Sequence, residues 1–161
     1  RLMGNAEKAL EIYRHTDFIK PDQLSIKLQI VSCLKELRKT EEALRELMKL
    51  HEEYPDNQKI IREIIHCSFI AKNPAQAKYF ATLLLETENL TADDYCKAGH
   101  IEWCLNKQQN AVGHYKQCLQ LLSNNWTQFN NLFLQDKNTL ISNGIPESDI
   151  PLMLDGLKYE E

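Results

Sequence analysis

The sequence predicts an all-α fold built from repeated helix pairs. Alanine recurs at a constant interval of 34 residues, at Ala9, Ala43, Ala77 and Ala111, and fixed intervals of this length are typical of helical repeat arrays. Glycine and proline number only 5 each, so long helices are possible and residues typical of many-turned β folds are scarce. Apolar residues around each alanine fall at helical spacing.

The alanines lie in related sequence phrases. These phrases are AEKALEIY, TEEALREL, PAQAKYFA and QQNAVGHY. The residue four positions after each alanine is Tyr13, Leu47, Ala81 or Tyr115. Two antiparallel helices joined by a short turn approach closely only where the contact carries a small side chain. Alanine meets this need without the helix penalty of glycine, about 1 kcal/mol. We therefore expect each alanine to lie at a helix contact.

The first helix of each predicted pair follows the same period. Apolar residues in phase are Ile30, Val31, Leu34, Ile64, Ile65 and Ala98. Cys33 and Cys67 are in phase with Ile101, which predicts that these two cysteines pack in the repeats rather than bind a metal. Thr91, followed by Asp93 and Asp94, is typical of a helix N-cap. Helices are predicted near residues 5–19, 24–38, 41–54, 57–72, 74–88, 92–106 and 108–123.

This pattern resembles the tetratricopeptide repeat family. The repeat length, the alanine, the large residue after it and the helix-ending prolines Pro21 and Pro55 all match. Gly99 matches the family's small residue in the first helix, and Gly4 its turn glycine. The resemblance covers residues 4–123. It implies an α/α right-handed superhelix with a half repeat at 4–22 and full repeats at about 24–57, 58–91 and 92–123.

The sequence departs from the family at three positions of the repeat. The terminal proline is absent from the third and fourth repeats, where Asn89 and Ser123 stand. The turn glycine is replaced by Arg38, Lys72 and Asn106. The early first-helix tryptophan is replaced by Lys27, Ile61 and Tyr95.

The tail, residues 124–161, does not follow the period and is predicted to form a capping helix pair. Its first helix would end at Gly144 and carry an apolar stripe of Trp126, Phe129, Phe133, Leu140 and Ile141. A short helix after Pro146 would carry Ile150, Met153, Leu154 and Leu157. Repeat stacks need such terminal elements because their last apolar face is otherwise open.

Composition excludes several functional classes. The net charge of −4 and pI near 5.8 disfavour nucleic acid as a partner. No apolar stretch approaches the length needed for membrane insertion. Five cysteines without a CxxC pair indicate reduced thiols, and we expect a cytoplasmic protein. The sequence starts in mid-repeat, so we expect a C-terminal piece of a longer protein.

The resemblance implies that the first helices line a concave groove that binds a peptide or helix of a partner. The carried-over binding positions are Lys59, Arg62, His66, Phe69, Cys96, His100 and Trp103. The same groove takes Ser25, Leu28, Ser32 and Lys35 from the first full repeat.

Two expectations follow for this groove. Trp103 should be partly exposed. Because imidazoles protonate near pH 6.5, an acidic partner should bind more tightly near pH 6 than near pH 8 through His66 and His100. The alternative is that Phe69 and Trp103 pack between repeats or under the tail.

Catalytic and metal chemistry have little support. The sequence contains no glycine-rich phosphate loop, nucleophile elbow or HExxH motif, so a non-enzymatic protein without cofactor is predicted. Cys96, His100 and Cys104 offer soft ligands on one helix face, with His66 on another helix. Cys96 and Cys104 would be ~12 Å apart along the axis, however, and no metal site is predicted.

The leading hypothesis for function is therefore a protein–protein interaction scaffold. The alternative is a structural oligomerisation or docking domain that acts through its terminal helices. Leu10, Ile12 and Tyr13 in the first half repeat favour this alternative because they need a covering helix.

Overall fold

The structure is a computed structural model that describes the backbone of residues 2–159 and the side chains of residues 4–159. Within that range it is all-helical and contains no strand. The last two residues of the predicted tail lie outside the described part. The helices are α1 Leu2–Ile19, α2 Leu24–Glu36, α3 Thr40–Glu53, α4 Gln58–Ile70, α5 Pro74–Leu85, α6 Ala92–Cys104, α7 Gln108–Leu121, α8 Trp126–Leu134, α9 Lys137–Ser142 and α10 Asp149–Tyr159. None of the described helices is both long enough and apolar enough to cross a bilayer.

The chain divides into two compact units, with the division along the sequence falling within α4. The N-terminal unit runs to Cys67, and in it α2 packs against α1 and α3. The C-terminal unit starts at Ser68, and in it α6 packs against α5 and α7. In the same unit α8 contacts both α6 and α7, and α10 packs on α7.

The turns after the first helices explain where those helices end. Arg38, Lys72 and Asn106 have φ angles of 60°, 61° and 64°. Left-handed backbone cannot continue a right-handed helix, so α2, α4 and α6 end a little earlier than predicted. The repeats thus keep the conformation of a turn glycine at the three positions where the glycine itself is lost. The expectation for Gly4 is wrong, because Gly4 lies inside α1 rather than in a turn.

The alanine period corresponds to helix contacts, as predicted. Ala43, Ala77 and Ala111 are each 0% exposed. Cys33 and Cys67 are also buried in the core, as the repeat phase predicts. In the full repeats the residues four and seven positions after each alanine are buried too, namely Leu47, Leu50, Ala81, Leu84, Tyr115 and Cys118. In the half repeat, Ala9 and Tyr13 are only half-buried, so the prediction is not confirmed there.

Gly99 marks a close approach of α6 to α7. A Cβ atom built on Gly99 would lie 2.5 Å from Cε1 of Tyr115, well inside van der Waals contact. Tyr115 is the residue four positions after Ala111, and its ring fills the space that the glycine leaves. The small residue in this first helix therefore has a steric cause.

Side-chain caps fix the starts of four helices. Asn57 caps α4 by accepting from the backbone N–H of Ile60. Thr91 and Asp94 form a reciprocal capping box at α6, in which each side chain accepts a hydrogen bond from the other's backbone N–H. Asn73 caps α5, where Pro74 occupies the first turn. Asn125 caps α8 by accepting from the backbone N–H of Gln128. Asp94 is thereby explained as a structural residue.

The tail folds as three helices, because the predicted helix from Trp126 to Ile141 breaks after Leu134. Phe129, Phe133 and Leu140 from this stretch are fully buried, whereas Ile141 is exposed and does not belong to the apolar stripe. Gly144, with a φ of 102°, follows the end of α9 as predicted. The predicted apolar face of α10 is buried in full, at Ile150, Met153, Leu154 and Leu157.

We predict that Ala77→Leu lowers the free energy of unfolding by about 1–3 kcal/mol, because three added carbon atoms overpack a fully buried helix contact. Ala75→Leu is the matched control, since Ala75 is exposed on the same helix. Urea unfolding of both variants measures the difference. Equal stabilities for the two variants would contradict the helix-contact role of Ala77.

Candidate protein-binding face

The first-helix face of the N-terminal unit carries a small cleft between α2 and α4. Its volume is about 140 Å³. Four of its lining residues, Leu28, Ser32, Lys35 and Lys59, are positions that the sequence analysis assigned to the groove. The other lining residues are Gln29, Val31 and Glu63. We name this surface the α2/α4 face.

Charged side chains dominate the α2/α4 face. The Nζ atom of Lys35 lies 2.6 Å from Oε1 of Glu63, which joins α2 to α4 through a partly exposed ion pair. Lys59 is exposed at the edge of the same cleft. Ion pairs with this much solvent access contribute little to stability, so the pair mainly orients the two side chains.

Arg62 and His66 lie further along α4 and are half-buried. Lys59, Arg62 and His66 are spaced by three and four residues, which places them along one side of the helix. Both Arg62 and His66 also interact with other groups of the chain. Any partner would therefore meet side chains that are already partly oriented.

The predicted groove residues of the C-terminal unit are buried instead. Cys96 and His100 are inaccessible, and Phe69 is nearly so. The expectation of a partly exposed Trp103 is wrong, because its side chain is only 7% exposed. These four side chains are core residues in this unit rather than contacts presented to a partner.

The tail packs on these buried residues of the C-terminal unit. The Phe133 ring of α8 packs edge-on against the His100 ring at 4.8 Å and lies 6.3 Å from the Trp103 ring. Asn143, just after α9, donates a hydrogen bond from Nδ2 to the carbonyl oxygen of Phe69 at 3.0 Å. Trp103 thus packs under the tail, and the Phe69 ring stacks on the His100 ring of the next first helix, with 6.2 Å between ring centroids. Both arrangements belong to the alternative considered for these two residues, packing between repeats or under the tail.

His100 is held by polar groups on both sides of its ring. Nδ1 lies 2.7 Å from Oη of Tyr115, and Nε2 faces Oδ2 of Asp136 at 3.4 Å and Sγ of Cys96 at 3.5 Å. Burial raises the pKa of Tyr115, so its hydroxyl stays protonated and donates to Nδ1. Nε2–H is then directed at the carboxylate. Burial also lowers the pKa of His100, and Asp136 only partly opposes this effect.

Asp136 anchors the tail through charge. It lies between α8 and α9, and its Oδ2 is 3.0 Å from Nζ of Lys97, which also pairs with Asp93 at 3.1 Å. Burial alone would raise the pKa of Asp136, but His100 and Lys97 outweigh it and the pKa is lowered. Burial would lower the pKa of Lys97, but Asp136 and Asp93 outweigh it and the pKa is raised. Asp136 could not be recognised from the sequence, because it stands outside the repeat period.

The five cysteines are unpaired thiols. Burial raises the pKa of Cys67 to about 11 and that of Cys104 to about 12. Both thiols are therefore protonated at neutral pH and weak as nucleophiles. Across residues 4–159, no three His, Cys, Asp or Glu side chains are grouped as a metal site would require.

The buried imidazole makes stability depend on pH. The folded state holds the pKa of His100 below that of the unfolded chain, so below about pH 6.5 the unfolded chain binds more protons at this site. Stability from this group is present above that pH and is lost as the pH falls. We predict that the free energy of unfolding decreases between about pH 7.5 and pH 5, by at most ~1.4 kcal/mol per pH unit from His100.

Urea unfolding at several pH values across this range measures how steeply the free energy of unfolding changes with pH. His100→Gln should reduce this slope, while His15→Gln, at an exposed histidine of α1, should leave it unchanged. An unchanged slope in a folded His100→Gln variant would show that the imidazole is not the group responsible. His114 of α7 should also lower the free energy of unfolding as the pH falls, because burial lowers its pKa as well.

Comparison with known proteins gives a structural match without a sequence match. No protein-family model and no curated protein matches the sequence. The fold is similar to a solved structure described as MamA MSR-1 C2, a protein of the tetratricopeptide type, with a TM-score of 0.68 and 13% identity. The match covers 96% of this chain and 88% of that one. The chain therefore has an all-α helical repeat fold of the tetratricopeptide type.

Proposed function

We propose that this chain is a non-enzymatic protein-interaction scaffold that binds a peptide or helix of a partner protein on the α2/α4 face. The observation that carries the proposal is the cleft between α2 and α4. It is lined by four of the positions that the tetratricopeptide pattern assigns to partner binding. The similarity of the fold to another helical repeat protein supports a general protein-binding role.

The two units differ in what their first helices offer. In the C-terminal unit the tail already occupies the face of α6 that carries Cys96, His100 and Trp103. In the N-terminal unit the side chains of Ser32 and Lys59 are exposed. The proposed site is therefore narrower than the predicted groove and centres on Leu28, Ser32, Lys35, Lys59 and Arg62.

The charge of this face favours an acidic partner. Among the residues that line the cleft, Lys35 and Lys59 carry two positive charges against the single negative charge of Glu63. Arg62, which also interacts with other groups of the chain, lies further along α4. This local excess contrasts with the net charge of −4 for the whole chain. Arginine also recognises carboxylates through two parallel hydrogen bonds. Of the two histidines expected to strengthen the binding of an acidic partner at low pH, only His66 can contribute, because His100 is buried and does not face a partner.

We predict that short random peptides selected by display on this chain are enriched in aspartate and glutamate. The best peptide should bind Lys59→Ala Arg62→Ala about 2 kcal/mol more weakly than the natural sequence, roughly a 30-fold change, because two cationic contacts are lost. Fluorescence anisotropy of the labelled peptide measures the affinity.

Arg45→Ala Lys49→Ala is the control, since it removes the same charge from exposed positions of α3. Circular dichroism verifies that both double variants remain folded. Equal binding by the two double variants, or selected peptides without acidic residues, would contradict the site.

Self-association through the terminal helices is the second candidate function. Phe18 of α1 is 85% exposed, and Ile12 and Ile19 of the same helix are also largely exposed. On α10, Leu152 and Tyr159 are exposed as well. Large apolar side chains grouped at the surface are a feature of association sites.

We predict that, if this second function operates, the mass measured by light scattering rises with protein concentration and Phe18→Ser suppresses the rise. Tyr79→Ser is the control, because Tyr79 is an exposed aromatic residue on α5. A monomeric mass at every concentration would exclude self-association and leave the α2/α4 proposal unaffected.

A further inference from the structure

A second cleft lies in the C-terminal unit among α5, α6 and α7, and none of the residues assigned to partner binding lines it. Its volume is about 250 Å³. Ala98, Ile101 and Glu102 of α6 line it, and helical geometry places them on the side of α6 opposite Cys96, His100 and Trp103. The tail that covers the latter three side chains therefore leaves this cleft open.

The cleft is sized for one side chain. An engineered cavity of ~150 Å³ lined by apolar residues is large enough to bind benzene, whereas pockets for drug-sized molecules run from about 300 to 1,000 Å³. Its apolar lining comes from Ala81, Leu85, Ala98 and Ile101. These residues suit an aliphatic chain.

Glu102 is the polar feature of the cleft. Glu102 is only 8% exposed, and its buried Oε1 atom accepts no hydrogen bond. Nζ of Lys78 lies 3.4 Å from that oxygen, which supplies opposite charge without the alignment of a hydrogen bond. A buried carboxylate oxygen without a donor is costly. Glu102 therefore favours a ligand that brings an N–H group.

The charge around the cleft also favours a cation. Glu86 and Glu102 contribute two negative charges, and Lys78 contributes one positive charge. Burial lowers the pKa of His114, on the α7 side, so its imidazole is neutral at pH 7 and does not repel a cation. The Lys78 side chain is about one-third exposed, which lets it swing away from Glu102.

We propose that this cleft binds an aliphatic cation, an ammonium or guanidinium group on a short hydrocarbon stem. The stem packs on Ala81, Ala98 and Ile101, and the cation donates to Glu102 Oε1 in place of Lys78 Nζ. This chemistry is found in a lysine or arginine side chain of a bound peptide and in a free polyamine. The site is independent of the α2/α4 face.

Titrations followed by NMR amide shifts of the ¹⁵N-labelled chain test the proposal. The probes are N-acetyl-lysine N-methylamide, N-acetyl-arginine N-methylamide and putrescine, with the uncharged N-acetyl-norleucine N-methylamide as the control. At least one cationic probe should give saturable shifts at Ala81, Ala98 and Ile101, with at least tenfold higher affinity than norleucine. Binding of putrescine alone identifies a free polyamine, and binding of the amino-acid amides identifies a peptide side chain.

Two substitutions distinguish a binding site from a structural ion pair. Lys78→Met should tighten cation binding at least threefold, because it removes the competing ammonium group. Glu102→Gln should weaken binding at least tenfold. Lys107→Met, at an exposed position before α7, should leave binding unchanged.

The absence of saturable shifts with all three cationic probes would overturn the proposal. So would a folded Lys78→Met variant that binds them no more tightly. If Glu102→Gln fails to fold, the comparison of Lys78→Met with Lys107→Met still decides the question, because neither substitution removes Glu102.

Discussion

The close approach of paired helices every 34 residues is the constraint on which the rest of this structure depends. Ala43, Ala77 and Ala111 are completely buried. A small residue is required at these points because a larger side chain would push the helices apart. Gly99 represents the extreme case, since its partner Tyr115 leaves no room even for a Cβ atom. In sequence, the residues at the corresponding positions are Ile65 with Ala81 and Val31 with Leu47. The bulk of the two paired side chains is thus divided differently in each repeat, while the 34-residue interval stays the same.

Most of the repeat architecture could be predicted from sequence, because the same steric requirement recurs and leaves a periodic trace. The helix starts at Thr40, Pro74, Ala92 and Gln108 lie at or within one residue of the predicted positions. The helix ends were less accurate, because Arg38, Lys72 and Asn106 adopt left-handed backbone without being glycine. A turn that uses an ordinary residue for an unusual conformation gives no compositional signal.

The burial of the predicted groove residues in the C-terminal unit could not be predicted in the same way. His100 and Trp103 have residue types suited to an interaction surface, and only the position of the tail determines that they are covered. Besides the buried apolar residues of the tail, that position involves Asp136, a single carboxylate outside the repeat that meets Lys97 and His100. In the sequence, an aspartate outside the repeat that forms a buried ion pair looks the same as an aspartate on the surface. In contrast, the family spacing predicts that Leu28, Ser32, Lys35 and Lys59 share one face, and the structure places these four residues around one cleft.

Helix α6 shows why binding positions differ between repeats that share one pattern. Its first-helix face packs under Phe133 of the tail, and its opposite face borders the cleft that contains Glu102. A helix that is mostly buried is usually apolar over most of its surface, yet α6 keeps Lys97, His100 and Glu102. Asp136 faces the first two, which makes them structural. Glu102 Oε1 has no hydrogen-bond donor despite its burial. Its only described counter-charge is Lys78, whose Nζ lies 3.4 Å away on a partly exposed side chain, so a ligand cation that donates a hydrogen bond would satisfy this oxygen better than packing does.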